Sequence, residues 1–454
     1  MADRLPQRIH MVGAGGSGMS ALAKLLFQLG HTVSGADLKP SLTLGALADL
    51  GLETWVGSRP ERMAGCQLLV ASSAVPSHDP ELEAARRAGI EVWRRPELLA
   101  ALTALMPALG ITGTHGKTTG TALAVTALQA AGRDPSFVLG GEITSLGTNA
   151  HLGERDLFVL EADEAFGTFL RLRLAGLVVT NVESDHLDHY GSVGSLEQAF
   201  QEVVRGVEGP ALVGIDDPGG RRLAERTGAL TFGTSADAVW SLQDVDSGQG
   251  RVRFTLRGPN AEAKVEVSRP GLHVARDAAG VLALLAECGY DLEQVARSLR
   301  DFGGVRRRFE LRGTVRGVTI IDDYAHLPTE VAANLEAARQ DGWTRIWAVF
   351  QPHRYSRTAD LHREFGPAFR AADQVVVTDV YAAGESPDPG VTGRLVADAV
   401  AEATGRPVAY LPHRAELADY LAGRVEPGDL VLTLGAGDIT LLPDELAQRL
   451  GDGR

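Results

Sequence analysis

Ala108-Leu109-Gly110-Ile111-Thr112-Gly113-Thr114-His115-Gly116-Lys117-Thr118-Thr119 is the stretch that settles the fold class. Its first five residues, Ala108 to Thr112, read as a buried strand. Its end leads into Gly120-Thr121-Ala122-Leu123-Ala124-Val125, which reads as a helix. A Gly-rich loop between a buried strand and a helix start offers backbone N–H groups to phosphate. Lys117 would reach the outer phosphates, and the Thr118 hydroxyl would bind magnesium. The strict form of this loop has Gly at position 111, where this chain has Ile. Lysine is scarce: only Lys24, Lys39, Lys117 and Lys264 occur among 44 basic residues, the other forty being Arg. A lysine retained in this loop is therefore a strong sign.

Downstream, Asp156–Asp163 and Gly176–Val182 carry further continuous apolar strands, and Pro210–Asp217 another. The first ends in Glu161-Ala162-Asp163-Glu164. Carboxylates at the C-terminal edge of a parallel strand, beside a phosphate loop, commonly hold magnesium. The second runs into Asn181, Asp185 and His186, which would face the same crevice. Ala229–Thr234, Ala238–Val245, Arg251–Gly258 and Ala263–Pro270 are short and alternating, which predicts antiparallel strands. A long helix follows from His273.

Upstream, a short apolar strand from Arg8 enters Gly13-Ala14-Gly15-Gly16-Ser17-Gly18, a G-x-G-x-x-G turn before a helix. Such a turn lets backbone approach a diphosphate, and Asp37 ends the next strand, where a dinucleotide fold places a ribose-binding acid. In the last third, Gly317–His326, Arg345–Arg354, Gln374–Gly384 and Asp429–Ile439 are strands running into polar loops. His353, Arg354 and Arg357 at one such strand end suit a carboxylate or phosphate, and Arg306, Arg307 and Arg308 add positive charge nearby. The expected architecture is α/β in three domains. Residues 1–106 and 311–454 are Rossmann-like; residues 107–310 hold a phosphate-loop domain with a parallel sheet and a small antiparallel sheet.

Composition agrees. The chain has 454 residues, 44% hydrophobic and 22% charged, ample for several cores. Its 44 basic and 58 acidic residues give a net charge of −14, which argues against a general nucleic-acid binder. No run of about twenty apolar residues predicts a membrane span. The start, MADRLPQRIHMVGAGG, lacks the apolar core of a secretory leader. Cys66 and Cys288 are the only cysteines, too few for a disulfide scaffold and consistent with a cytoplasmic location.

TGTHGKTT, then EADE, then TNVESDH, in that order and spacing, resembles the ATP-dependent Mur ligases of peptidoglycan synthesis. VGAGGSGMSALA, SSAVP and RRPELLAAL look like the family's UDP-binding domain, and DDYAH, FQPHRYSRT, DVYAAGESP and GAGD like its last domain. The branch it most resembles joins L-alanine to the lactoyl carboxylate of UDP-N-acetylmuramate through an acyl phosphate. The resemblance implies ATP on Gly113, Thr114, His115, Gly116, Lys117, Thr118, Thr119, Asp277 and Arg308. It implies magnesium on Thr118, Glu161 and His186, with Lys117, Glu161 and His186 as catalytic residues. The UDP-sugar would meet Gly15, Gly16, Ser17, Gly18, Asp37, Ser72, Ser73, Asn181 and Asp185. Tyr324, His326, His353, Arg354 and Arg357 would take the amino acid. No nucleic acid or membrane partner is expected, and the protein would be a monomer or weak homodimer. Sister ligases use a carbamylated lysine after the motif histidine; no lysine lies between Lys117 and Lys264 here.

The chain departs from the family pattern at Leu327 (usually His), at Ala165-Phe166 (usually Ser-Asp), at His273-Val274-Ala275-Arg276-Asp277 (usually His-Asn-x-x-Asn) and at Asp438 (usually Asn). Two other readings compete. A nicotinamide oxidoreductase would explain Gly13–Gly18 and Asp37 but not the Lys117 loop. A non-catalytic regulator would bind nucleotide without turnover.

Overall fold

The protein is described by a computed structural model covering residues 5–183 and 187–451. The chain forms two compact units. One comprises Met1–Gln243, Thr255–Val265 and Arg276–Phe302; the other comprises Asp244–Phe254, Glu266–Ala275 and Gly303–Arg454.

In the first unit, Arg8–Val12 is the middle strand of a five-stranded parallel sheet. Thr32–Asp37 and Glu53–Val56 lie on one side, Leu68–Ala71 and Glu91–Arg94 on the other. The chain reverses its direction of travel across the sheet at Arg8–Val12, so the crevice at the carboxyl ends of Arg8–Val12 and Leu68–Ala71 is a natural ligand position. Helix Ser17–Gln28 follows the Gly turn and buries Leu22, Leu25 and Leu26 in a core shared with Met11 and Val70.

Ala108–Thr112 is buried along its whole length, between Phe158–Glu161 and Gly176–Val179, both parallel to it. This sheet has ten strands. Leu230–Gly233, expected to be antiparallel, pairs parallel with Ala211–Gly214 and with Trp240–Gly248. Alternation reports which face of a strand is buried, not the direction of its neighbour. Helix Pro218–Thr227 carries the chain back before the strand begins, and that crossover fixes the direction. Trp240–Gly248, Arg251–Arg257 and Glu262–Val267 continue the sheet. At the other edge lies a hairpin the sequence reading missed, Ser136–Ile143 with Thr148–His151. Ile111 also has a reason: its Cγ2 fills the space beside Gly120, where an added Cβ would fall 2.9 Å away. Bulk on the strand is matched by its loss on the helix.

The second unit is built on a six-stranded sheet, ordered Glu310–Val315, Val318–Asp323, Leu430–Leu434, Ile346–Phe350, Gln374–Val377, Ala409–Tyr410. Only the first pair is antiparallel. Phe350, Phe365 and Phe369 pack on one face; Val349, Leu421 and Leu446 lie in the cluster on the other. Among the described residues, no helix is long and apolar enough to cross a membrane.

Candidate active site

The phosphate loop closes on itself through backbone. Gly113 and Gly116 have φ of +127° and +83°, conformations that L side chains rarely adopt. A Cβ on Gly116 would collide with the Asp277 carboxylate, its Cγ only 2.8 Å away. A Cβ on Gly113 would collide with the Thr180 hydroxyl. Asn181 clamps the loop from the next strand: its Oδ1 accepts from His115 N at 2.9 Å and its Nδ2 donates to His115 O at 3.2 Å. The Thr114 hydroxyl accepts from Glu183 N at 2.8 Å, and the His115 ring lies 3.2 Å from Glu183 Oε2. Asn181, expected at the UDP-sugar, thus has its carboxamide committed to the phosphate loop. Asp185 and His186 lie outside the described residues.

Lys117 opens helix Lys117–Ala130. Its Nζ donates to Gly113 O at 2.6 Å and Thr114 O at 3.2 Å, and to both oxygens of Glu164 at 2.8 and 2.9 Å. Glu164 is 1% exposed. Burial would push the Lys117 ammonium down, but Glu164 and Asp163 outweigh it and hold it above its ordinary value. Burial also raises Glu164, against the pull of Lys117. The lysine is therefore charged and directed back over the loop, as phosphate binding requires.

Thr118 is buried at the helix start and Thr119 half-buried beside it. Glu161 ends its strand, with Oε1 accepting from Gly140 N of the edge hairpin at 2.7 Å. Magnesium takes oxygen ligands, keeps several waters and needs one or two carboxylates beside substrate phosphates. Thr118 and Glu161 are such donors, so the residues fit. Among the described residues no group of three or more His, Cys, Asp or Glu could hold a metal by itself.

The Gly turn forms a second pocket. Gly15 N donates to Asp37 Oδ2 at 2.9 Å, and a Cβ on Gly15 would fall 2.8 Å from that oxygen. Gly16 and Ser17 are exposed at the start of the helix, which has no side-chain cap and no acidic residue in its first turn. A cleft of about 250 Å³ is lined by Gly13, Gly16, Asp37, Ser58, Ser72 and Val75, among others. Ser73 is exposed in the turn beside it. Beneath it Glu81, fully buried, accepts from Trp55 Nε1 at 3.0 Å and from Arg59 N at 2.8 Å. The edge hairpin reaches this first sheet: Asn149 Nδ2 donates to Ser17 O at 3.0 Å, and Lys24 Nζ to Asn149 Oδ1 at 3.0 Å.

In the second unit, aromatic rings gather at the carboxyl ends of the strands. Tyr324 and His326 meet edge to face at 5.3 Å, His326 and His353 at 5.8 Å, and His353 stacks on Tyr381 at 5.7 Å. Arg307 and Arg308 lie over the Tyr324 ring, at 4.9 and 5.1 Å. Arg308, expected at ATP, lies over the Tyr324 ring of its own unit. Arg354 has φ +70° and caps helix Tyr355–Ala368, its Nε 3.8 Å from Glu385; Arg357 is half-buried one turn on. Burial and neighbouring His326, Arg357 and Arg354 push His353 down to about 3, and its buried Nδ1 has no partner among the described residues. Burial pushes Asp323 up to about 6. Leu327 is 5% exposed and serves as packing.

Glu164, Tyr381 and Glu385 were not singled out as site residues. All three stand inside quoted motifs, so position relative to Lys117 and His353 was the signal.

A lysine-bearing phosphate loop beside a strand-edge carboxylate, joined in one unit to a second Gly-turn pocket, defines a nucleotide-binding α/β enzyme. Three family models match: the Mur ligase family catalytic domain over residues 8–106, the Mur ligase middle domain over 111–285, and the Mur ligase glutamate ligase domain over 307–437. A UDP-N-acetylmuramate–L-alanine ligase of Mycolicibacterium vanbaalenii is 46% identical, covering 97% of this chain and 95% of that one. One of Anaeromyxobacter dehalogenans is 44% identical, covering 97% of each. The crystal structure of the UDP-N-acetylmuramate–alanine ligase of Thermotoga maritima superposes with a TM-score of 0.85 at 28% identity, covering 98% of this chain and all of that one. The chain belongs to the Mur ligase family. Membership sets aside the oxidoreductase reading.

Proposed function

We propose that the protein joins L-alanine to the lactoyl carboxylate of UDP-N-acetylmuramate, converting ATP to ADP and phosphate and giving UDP-N-acetylmuramoyl-L-alanine. The phosphate loop carries this reading: backbone-lined, too tight for a Cβ at Gly113 or Gly116, with Lys117 folded over it. The near-full-length relatives support the choice of substrates.

A carboxylate resists amine attack until one oxygen becomes a leaving group. Transfer of the γ-phosphoryl group to the lactoyl oxygen supplies it; the alanine amine then attacks the carbonyl carbon, and phosphate departs with the electron pair of the C–O bond. Lys117, released from Glu164, neutralises charge on the transferring group, and the loop N–H groups orient it. Magnesium on Thr118 and Glu161, with His186, would neutralise the phosphates further. Gly15 to Gly18, Asp37, Ser72 and Ser73 hold the sugar nucleotide. Arg354 and Arg357 hold the alanine carboxylate, with Tyr324, His326 and His353 around its small side chain. His353, neutral at working pH, adds no further cation beside Arg354 and Arg357. In this reading the protein acts in the cytoplasm, as a monomer or weak homodimer.

Phosphate release from ATP, with each substrate omitted in turn, tests the reading. Release that needs both UDP-N-acetylmuramate and L-alanine supports it. Binding of both nucleotides without release would be the regulator, and release with another amine alone would change the acceptor.

A further inference from the structure

Arg95 has no assigned role, yet it stands at the junction of the two nucleotide pockets of the first unit. It opens helix Arg95–Thr103, directly after strand Glu91–Arg94. Its guanidinium lies over the Gly turn: a Cβ on Gly18 would fall 3.0 Å from Cζ, 3.2 Å from Nη1 and 3.3 Å from Nη2. Among the described residues its buried Nε has no hydrogen-bond partner. Among the described residues its charge meets only Asp163, at 3.8 Å, which is beyond hydrogen-bond distance. Neighbouring Arg94, by contrast, donates to Ser72 O at 2.9 Å and Val75 O at 2.8 Å.

The arrangement is costly as it stands. A cation at the first position of its own helix opposes the helix dipole, and here it also faces the uncapped start of helix Ser17–Gln28. Two positive helix ends and a guanidinium with an unsatisfied buried N–H converge on one place. An anion resolves all three, and a guanidinium binds carboxylate or phosphate through paired N–H groups.

Resting on the sugar-nucleotide reading of the Gly turn, we propose that Arg95 is a substrate-binding residue that grips an anionic group of the sugar nucleotide where it passes from the Gly turn towards the phosphate loop. That substrate carries two such groups, the diphosphate and the lactoyl carboxylate. The contact with Gly18 favours the first and the approach to Asp163, two residues beyond Glu161, the second.

The test is calorimetric titration of the full-length protein, wild type, Arg95→Ala and Arg95→Lys, with UDP-N-acetylmuramate, UDP and ATP, beside thermal melting without ligand. A charge-assisted pair is worth a factor of about ten to a hundred in affinity. Arg95→Ala should weaken UDP-N-acetylmuramate by that factor, with Arg95→Lys in between, ATP binding unchanged and the ligand-free melting temperature equal or higher. Weakened UDP binding assigns the diphosphate; unchanged UDP binding assigns the carboxylate. Wild-type affinity for UDP-N-acetylmuramate in both variants overturns the role, as does a parallel loss of ATP binding and melting temperature. A wild-type protein that binds neither UDP nor UDP-N-acetylmuramate would instead overturn the sugar-nucleotide reading itself.

Discussion

Replacing Lys117 with Met should destabilise the first unit as well as stop turnover. The methionine keeps the volume but removes the charge that neutralises Glu164. That carboxylate is 1% exposed and accepts two hydrogen bonds from Lys117, at 2.8 and 2.9 Å. Breaking a buried ion pair on one side costs about 3–5 kcal/mol. At about 2–4 °C per kcal/mol for a unit of this size, the melting temperature falls by about 6–12 °C even at the low end. Glu164 already sits above its ordinary value through burial, and loss of Lys117 raises it further. A carboxyl raised in the fold keeps its full contribution below its unfolded value and loses it as pH climbs through the folded one. The variant should therefore lose most against wild type at alkaline pH and least near pH 5. Removing both charges, in Lys117→Met/Glu164→Gln, should recover stability to within about 1 kcal/mol of wild type, because a neutral pair leaves no buried charge. Scanning calorimetry of the three proteins at pH 5, 7 and 9 measures this. A single variant that melts with wild type, or a double variant as weak as the single, would refute the buried-pair argument.

Gly15→Ala places a methyl 2.8 Å from Asp37 Oδ2 and 2.9 Å from Ser41 Oγ. It should raise the KM for UDP-N-acetylmuramate by about tenfold or more while ATP titrates as in wild type; a wild-type KM would remove the Gly turn from the sugar-nucleotide site. Arg354→Ala should raise the KM for L-alanine at least tenfold with smaller effects on the two nucleotides, since a paired carboxylate contact is lost; an unchanged alanine KM would exclude it. His353, held at about 3, contributes stability that is complete above its unfolded value near 6.5 and is lost as pH falls towards 3. Urea unfolding of wild type and His353→Gln should thus converge as pH drops from 7 to 4; parallel curves would show that His353 titrates normally.

Local pattern revealed the strands that stand on their own chemistry. Ala108–Thr112 reads as a buried strand and is buried throughout, and the Gly-rich loop after it holds positive φ at Gly113 and Gly116. The edge hairpin Ser136–Ile143 with Thr148–His151 was invisible because its burial does not alternate, Ser136 to Leu139 being buried in a row, and its turn, Thr144 to Gly147, lacks an Asn-Gly signal. Strand direction at Leu230 was misread because alternation is blind to it. The site residues show the same divide. Types and order point to Lys117, Glu161 and the Gly turn as candidates, whereas the positions of Asn181 and Arg308 needed distances: nothing local says that the first turns back onto His115 or that the second lies over Tyr324.

The pairing of Lys117 with Glu164 also makes the chain easy to read by chemical footprinting. Amine-reactive reagents meet only four lysine side chains. Lys39 and Lys264 are exposed, Lys24 is hydrogen-bonded to Asn149, and the nitrogen of Lys117 is enclosed by two carbonyls and a carboxylate. Acylation of Lys39 and Lys264 sets an internal clock for reagent and time. Any adduct on Lys117 then counts the moments when Glu164 lets go, so one mass spectrum reports how often the empty loop opens and how firmly a nucleotide shuts it.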